Sequence, residues 1–157
     1  MFLLRELYDV DLGYKYTLYK HGPYSFELDA DIEELRIVGA IDYEIERQYG
    51  PRYKPGPAAE AYKRPFDAQI LSAMDRVAEF LGQKRVQNLE CISTLALCAR
   101  SSAEMASDPR KLKACVKTLK PHLAEEDIDQ GWSELSPFAD VLRRRGEKLG
   151  YIQNYSY

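Results

Sequence analysis

The stretch Ser25–Lys54, SFELDADIEELRIVGAIDYEIERQYGPRYK, decides the fold of this chain. Ser25 offers a side-chain oxygen to an orphan N–H at a helix start. Glu27 puts a carboxylate in the first turn, where the helix dipole favours it. Leu28, Ile32, Leu35 and Val38 then recur at helical spacing. Gly39 is a natural stop, because glycine takes the left-handed conformation that ends many helices. Next, Ile41-Asp42-Tyr43-Glu44-Ile45-Glu46 alternates with period two, the pattern of a half-buried strand. Gln48-Tyr49-Gly50-Pro51 has turn chemistry, and Arg52-Tyr53-Lys54 makes the returning strand. A helix followed by a β-hairpin is the second half of a winged helix.

On the amino-terminal side, MFLLRELY (residues 1–8) reads as the end of a helix, with an apolar stripe, and YKYTLY (14–19) as an extended segment. His21-Gly22-Pro23 reads as a turn. On the other side, Pro57 starts a short helical piece reaching Lys63, and Arg64-Pro65 marks a boundary. Beyond it the period is helical. Phe66, Ile70, Met74, Val77 and Leu81 form one stripe, ended by Gly82. Val86–Ala99 is nearly apolar all round in its second half, which places it at the centre of the core. A third helix starts at Ser107-Asp108-Pro109, and a fourth carries Ile128, Trp132 and Leu135. Ser136-Pro137 reads as a fresh helix start, with Arg143–Arg145 near that helix's end and a tail from Tyr151. The expected fold is α+β and mostly helical: a winged-helix-like module over residues 1–64, then a helical module over 65–157.

With 157 residues, 45% hydrophobic and 30% charged, the chain can bury a core and keep a solvated surface. Its net charge of −3 argues against a nucleic-acid coat or a membrane-surface protein, both of which rest on basic excess. No run approaches the ~20 apolar residues of a membrane span. Arg5, Glu6 and Asp9 make the start unlike a signal peptide, so a cytoplasmic protein is expected. Cys91, Cys98 and Cys115 are odd in number and form no CxxC, so neither a disulfide framework nor a zinc finger is expected. Cys91 and Cys98 read as small core residues in a reducing compartment. His21 and His122 have no carboxylate or cysteine at metal-ligand spacing, and no nucleophile-elbow, metalloprotease, dinucleotide or P-loop motif occurs. No catalytic, cofactor-binding or metal residue is therefore assigned. An enzyme of unfamiliar type would centre on Glu90 and Cys91.

Charge pattern bears on partners. In a helix-turn-helix protein the recognition helix lies between two phosphate walls. Here the helix before the hairpin carries Glu27, Asp29, Asp31, Glu33 and Glu34 against Arg36, a net −4. Phosphate repels such a helix, and guanine-reading side chains are almost absent from it. Its acidic face suits a protein partner instead. The following segment is opposite in sign. Arg47, Arg52, Lys54, Lys63 and Arg64 stand against Glu60, with Tyr49 and Tyr53 interleaved. Such residues can grip a phosphate backbone, or can simply form the solvated edge of a wing.

The run Tyr14–Leu28, YKYTLYKHGPYSFEL, resembles the prokaryotic YwgA-like proteins, where an aromatic extended segment leads into Gly-Pro-[Phe/Tyr]-Ser and a helix. More distantly it is similar to the SocA-like, or Panacea, antitoxin domain. Gly39-Ala40-Ile41, Tyr49–Gly56, Asn88-Leu89-Glu90 and Leu119–Leu123 fit the same pattern. The resemblance implies no catalytic residue or cofactor, but does imply a protein partner, as in toxin neutralisation. It also implies a further helix ahead of Phe2-Leu3-Leu4. Without it, either the true start lies upstream or Leu3, Leu4 and Leu7 are underpacked and invite a homodimer. The reading is a non-enzymatic, winged-helix-like regulator or antitoxin-type adaptor that binds protein through Glu27–Glu34. The alternative is a DNA-binding regulator that uses its basic wing.

Overall fold

The computed structural model describes residues 1–47, 50–82 and 84–153. It is α+β and mostly helical. The elements run α1 (Phe2–Tyr8), β1 (Thr17–Tyr19), β2 (Gly22–Tyr24), α2 (Phe26–Ile37), β3 (Ile41–Glu46), β4 (Gly50–Pro55), α3 (Ala59–Tyr62) and α4 (Ala68–Leu81). They continue as α5 (Val86–Ala99), α6 (Ala103–Ser107), α7 (Pro109–Leu119), α8 (Glu125–Leu135), a 3-10 turn (Ser136–Phe138) and α9 (Ala139–Gln153).

The quoted stretch folds as its local chemistry dictates. The extended Ser25 accepts the Leu28 N–H at 3.2 Å and caps α2. Gly39, at φ 74°, reverses the chain after α2, and its N–H bonds to the Arg36 carbonyl at 3.0 Å. Strands β3 and β4 pair antiparallel from Ile41↔Pro55 to Glu46↔Gly50. A Cβ on Gly56 would lie 2.3 Å from the Gly39 carbonyl oxygen, so the seam between helix and hairpin closes only around glycine. Of the expected turn, Gln48 and Tyr49 lie outside the described residues.

Strands β1 and β2 form a second hairpin that does not join the first: Thr17 pairs with Tyr24 and Tyr19 with Gly22. Its turn is Lys20-His21, one step earlier than expected, and Gly22-Pro23 belong to β2. Pro23 is tolerated because a two-stranded ladder leaves an edge that needs no N–H. Gly22 sits so close to α5 that a Cβ there would meet Ser93 Oγ at 2.7 Å.

The core is helical, with α5 at its centre. Ile92, Leu95, Ala96 and Ala99 of α5 are sealed from solvent and pack with Leu112, Val116, Leu123, Ile128, Leu135 and Leu142. Cys91 and Cys98 are buried there as free thiols, and Trp132 packs partly buried against the same core. Phe2, Leu3 and Leu7 of α1 belong to this cluster too, so the core reaches across the boundary expected at 64/65. The expected underpacked leucine stripe is not found. Leu3 and Leu7 pack in the central cluster and Leu4 packs with Ala73 and Val77 of α4, so α1 presents no apolar face for a homodimer. Glu6, buried on α1, is ringed by Arg5 at 2.9 Å, Arg100 of α5 at 3.2 Å and Arg145 of α9 at 4.0 Å. The charges thus tie α1 to both helices.

Two helical readings shift. Helix α6, too short to show periodicity, interrupts the path from α5 to α7. Ser136-Pro137 forms a 3-10 turn running straight into α9 rather than a capped start, and α9 extends to Gln153, which leaves Arg143–Arg145 in its middle. No helix among the described residues is long and apolar enough to cross a membrane.

Candidate functional site

The module α2–β3–β4 has almost no interior of its own. No α2 side chain is buried, and Ala40 is the buried residue at its joint to the hairpin. Large apolar side chains stand in solvent: Phe26 is 64% exposed, Ile37 78% and Ile45 76%. Ties to the remainder include the Tyr14 hydroxyl donating to Asp31 at 2.8 Å and Arg52 donating to the Gly82 carbonyl at 3.2 Å.

The acidic residues of α2 divide by use. Asp31 is anchored by Tyr14, whose phenol pKa is raised by that bond. Glu27 accepts from the Ser25 hydroxyl at 3.0 Å at the helix start. Asp29 lies against the Tyr24 hydroxyl and raises its pKa. Glu33 pairs with Arg36 at 2.6 Å, and Glu34 is exposed. Between α2 and the hairpin runs a groove of about 590 Å³. Asp29 and Glu33 mark its acidic wall, and Ile32, Tyr43, Ile45 and Tyr53 give it apolar surface. The Arg36 guanidinium lies 4.3 Å from the Tyr43 ring centroid, beneath the Glu33 carboxylate.

The basic residues do not gather into one patch. Lys54 pairs with Glu44 across the hairpin, Arg52 with Glu46 at 3.3 Å, and Lys63 with Glu60 at 2.6 Å. Arg47 and Arg64 are exposed. The register sets Asp42 opposite Lys54 and Glu44 opposite Arg52, each cation pairs diagonally with the carboxylate two residues further along β3, and with Arg47 the hairpin carries three charges of each sign. The basic excess seen along the chain is cancelled by the neighbouring strand.

A second constellation has no counterpart in linear spacing. Glu90 of α5 is 5% exposed and lies 2.9 Å from the ammonium of Lys120, itself 6% exposed. Lys120 also donates to the Tyr19 carbonyl at 2.9 Å and to the Lys20 carbonyl, so its three N–H groups are spent on the β1–β2 turn and α5. His122 Nε2 stands 3.3 Å from one Glu90 oxygen and His21 Nδ1 3.8 Å from the other. Burial alone pushes the Glu90 carboxyl up. The bonds from Lys120 and His122 outweigh it and hold the group below its ordinary range. Cys91, the next residue, is sealed in the core, and burial pushes its thiol up to about 12, away from the reactive thiolate. No group of three or more His, Cys, Asp or Glu among the described residues is arranged to hold a metal ion. Sequence reasoning named Glu90 only beside Cys91; the signal for the cluster was that Glu90 is the single charge in VQNLECISTLALCA. A charge buried in such a helix requires a partner. Comparison of the chain with family models, curated proteins and solved structures finds no match.

Proposed function

We propose that the chain is a non-enzymatic, winged-helix-like adaptor of the antitoxin or regulatory type. It binds a basic amphipathic segment of a partner protein in the groove between α2 and the β3–β4 hairpin. The observation that carries this reading is the groove in which Asp29 and Glu33, the latter shared with Arg36, stand beside apolar side chains, on a module that buries no α2 side chain. An apolar surface beside carboxylates suits a segment with cations on one side and leucine-like residues on the other. The hairpin's internal pairing supports protein over DNA, because Arg52 and Lys54 already have carboxylate partners.

The test is titration of a synthetic leucine–lysine amphipathic peptide into the protein, followed by amide chemical shifts. The expected result is perturbation of residues 26–37 and 41–46, weakened about tenfold or more by Asp29→Lys with Glu33→Lys, as charge reversal at a complementary interface demands. Peptide binding unmoved by the reversal overturns the reading. So does binding of duplex DNA in place of the peptide.

A further inference from the structure

The adaptor reading leaves a cleft of about 1110 Å³ above the Glu90 cluster without a role. Its polar lining comes from three separate places: Lys20 and His21 on the β1–β2 turn, Arg85 ahead of α5, and His122 after α7. Leu18, Val86 and Leu119 supply apolar wall.

The charge balance of this cleft differs from that of the rest of the molecule. Its one carboxylate, Glu90, is neutralised from within by Lys120, and Lys120 has no donor left over. The remaining full charges are Lys20 and Arg85. Among the described residues neither side chain has an ion-pair or hydrogen-bond partner. Among the described residues Lys15, Arg64, Arg76, Arg110 and Arg144 are unmatched too, but none of them lines this cleft, where the two cations stand together. His21 and His122 each turn one ring nitrogen toward Glu90 and keep a second for other partners, and both are more than half exposed. A concave surface with two unmatched cations and an apolar wall, in a protein of net charge −3, suits an anion. A dianion matches two fixed cations better than a monoanion does. The helix α5 begins at the same cleft with no side-chain cap, which adds positive dipole there.

We infer that this cleft binds a small phosphomonoester carried on an apolar or aromatic body. Lys20 and Arg85 hold the phosphate, and Leu18, Val86 and Leu119 receive the body. The inference is independent of the peptide groove. Tyr19, which lines the cleft, also lies ring to ring 6.1 Å from Phe26 at the start of α2.

The experiment titrates adenosine 5′-monophosphate, inorganic phosphate and adenosine separately into the whole chain at low salt, with amide chemical shifts and calorimetry as readouts. The expected result is that the monophosphate binds more tightly than phosphate or adenosine and moves residues 18–22, 85–90 and 119–122. Lys20→Gln with Arg85→Gln weakens it about tenfold, as loss of charge-assisted hydrogen bonds predicts. Both residues are exposed, so circular dichroism and the thermal midpoint stay at wild-type values. Absence of binding by the monophosphate overturns the inference. So does adenosine binding as tightly as its monophosphate, phosphate binding as tightly as the monophosphate, or affinity unmoved by the double variant.

Discussion

Helices α5 and α2 are similar in length, 14 and 12 residues, and opposite in how they handle charge. Helix α5 carries one carboxylate, buries it, and meets it with the buried Lys120 and two histidines. Helix α2 carries five and buries none of its side chains. Inside the core a charge must be matched at once by the chain itself, so it becomes part of the architecture. At the surface a charge is solvated, and its complement can be supplied by another molecule. The two helices therefore separate what holds this protein together from what it can offer a partner.

The sharpest way to break that contrast is Lys120→Met. It leaves Glu90 buried and without its cation, and removes two backbone hydrogen bonds on the β1–β2 turn. Removing one member of a buried pair costs about 3–5 kcal/mol, read as a fall in the urea midpoint. Adding Glu90→Gln should recover most of the loss, since the unmatched charge is then gone. An unchanged midpoint in Lys120→Met would mean that water already solvates Glu90. Next in size is Leu95→Ala at the centre of α5, expected to cost about 2–5 kcal/mol through the cavity it leaves. Leu35→Ala on the half-buried face of α2 should cost visibly less in the same measurement.

The pH dependence sharpens the same point. Glu90 is held below its ordinary pKa by Lys120 and His122, against the opposing effect of burial. A carboxyl lowered on folding contributes stability that is fully present above its unfolded value, near ~4.3, and is lost as pH falls through the lower folded value. Urea midpoints of the wild type and Glu90→Gln should therefore converge as the pH drops from neutral to below that range. A gap that stays constant would show that the Glu90 charge is not linked to folding.

Ser25→Ala acts on the other helix and should cost about 1 kcal/mol, the usual value of a lost N-cap. That prediction and the helix itself were legible in the sequence, because cap, period and Gly39 stop all lie within one short stretch. The hairpin was legible for the same reason. The Glu90 cluster was not, because residues 21, 90, 120 and 122 meet only once α5, α7 and the β1–β2 turn have packed. The burial of Leu3, Leu4 and Leu7 was missed for a related reason: their cover comes from α4, α5 and α9, far along the chain. The basic wing reads differently once folded. Its cations were counted along the chain from Arg47 to Arg64, whereas the hairpin register brings Glu46 to Arg52 and Glu44 to Lys54.

That register gives the smallest expected effect. Each phosphate contact made by a cation contributes about 0.9 to the slope of log affinity against log salt for duplex DNA. If Arg52 and Lys54 gripped the backbone, replacing both with alanine would flatten that slope by about one to two units. Each already faces a carboxylate, and binding phosphate would mean displacing Glu46 and Glu44 and then lying beside them. Weak retention of duplex DNA at low salt should therefore keep its slope in the double variant. A flattened slope would show that the hairpin pairs open for phosphate, and would move the proposed partner surface from α2 to the wing.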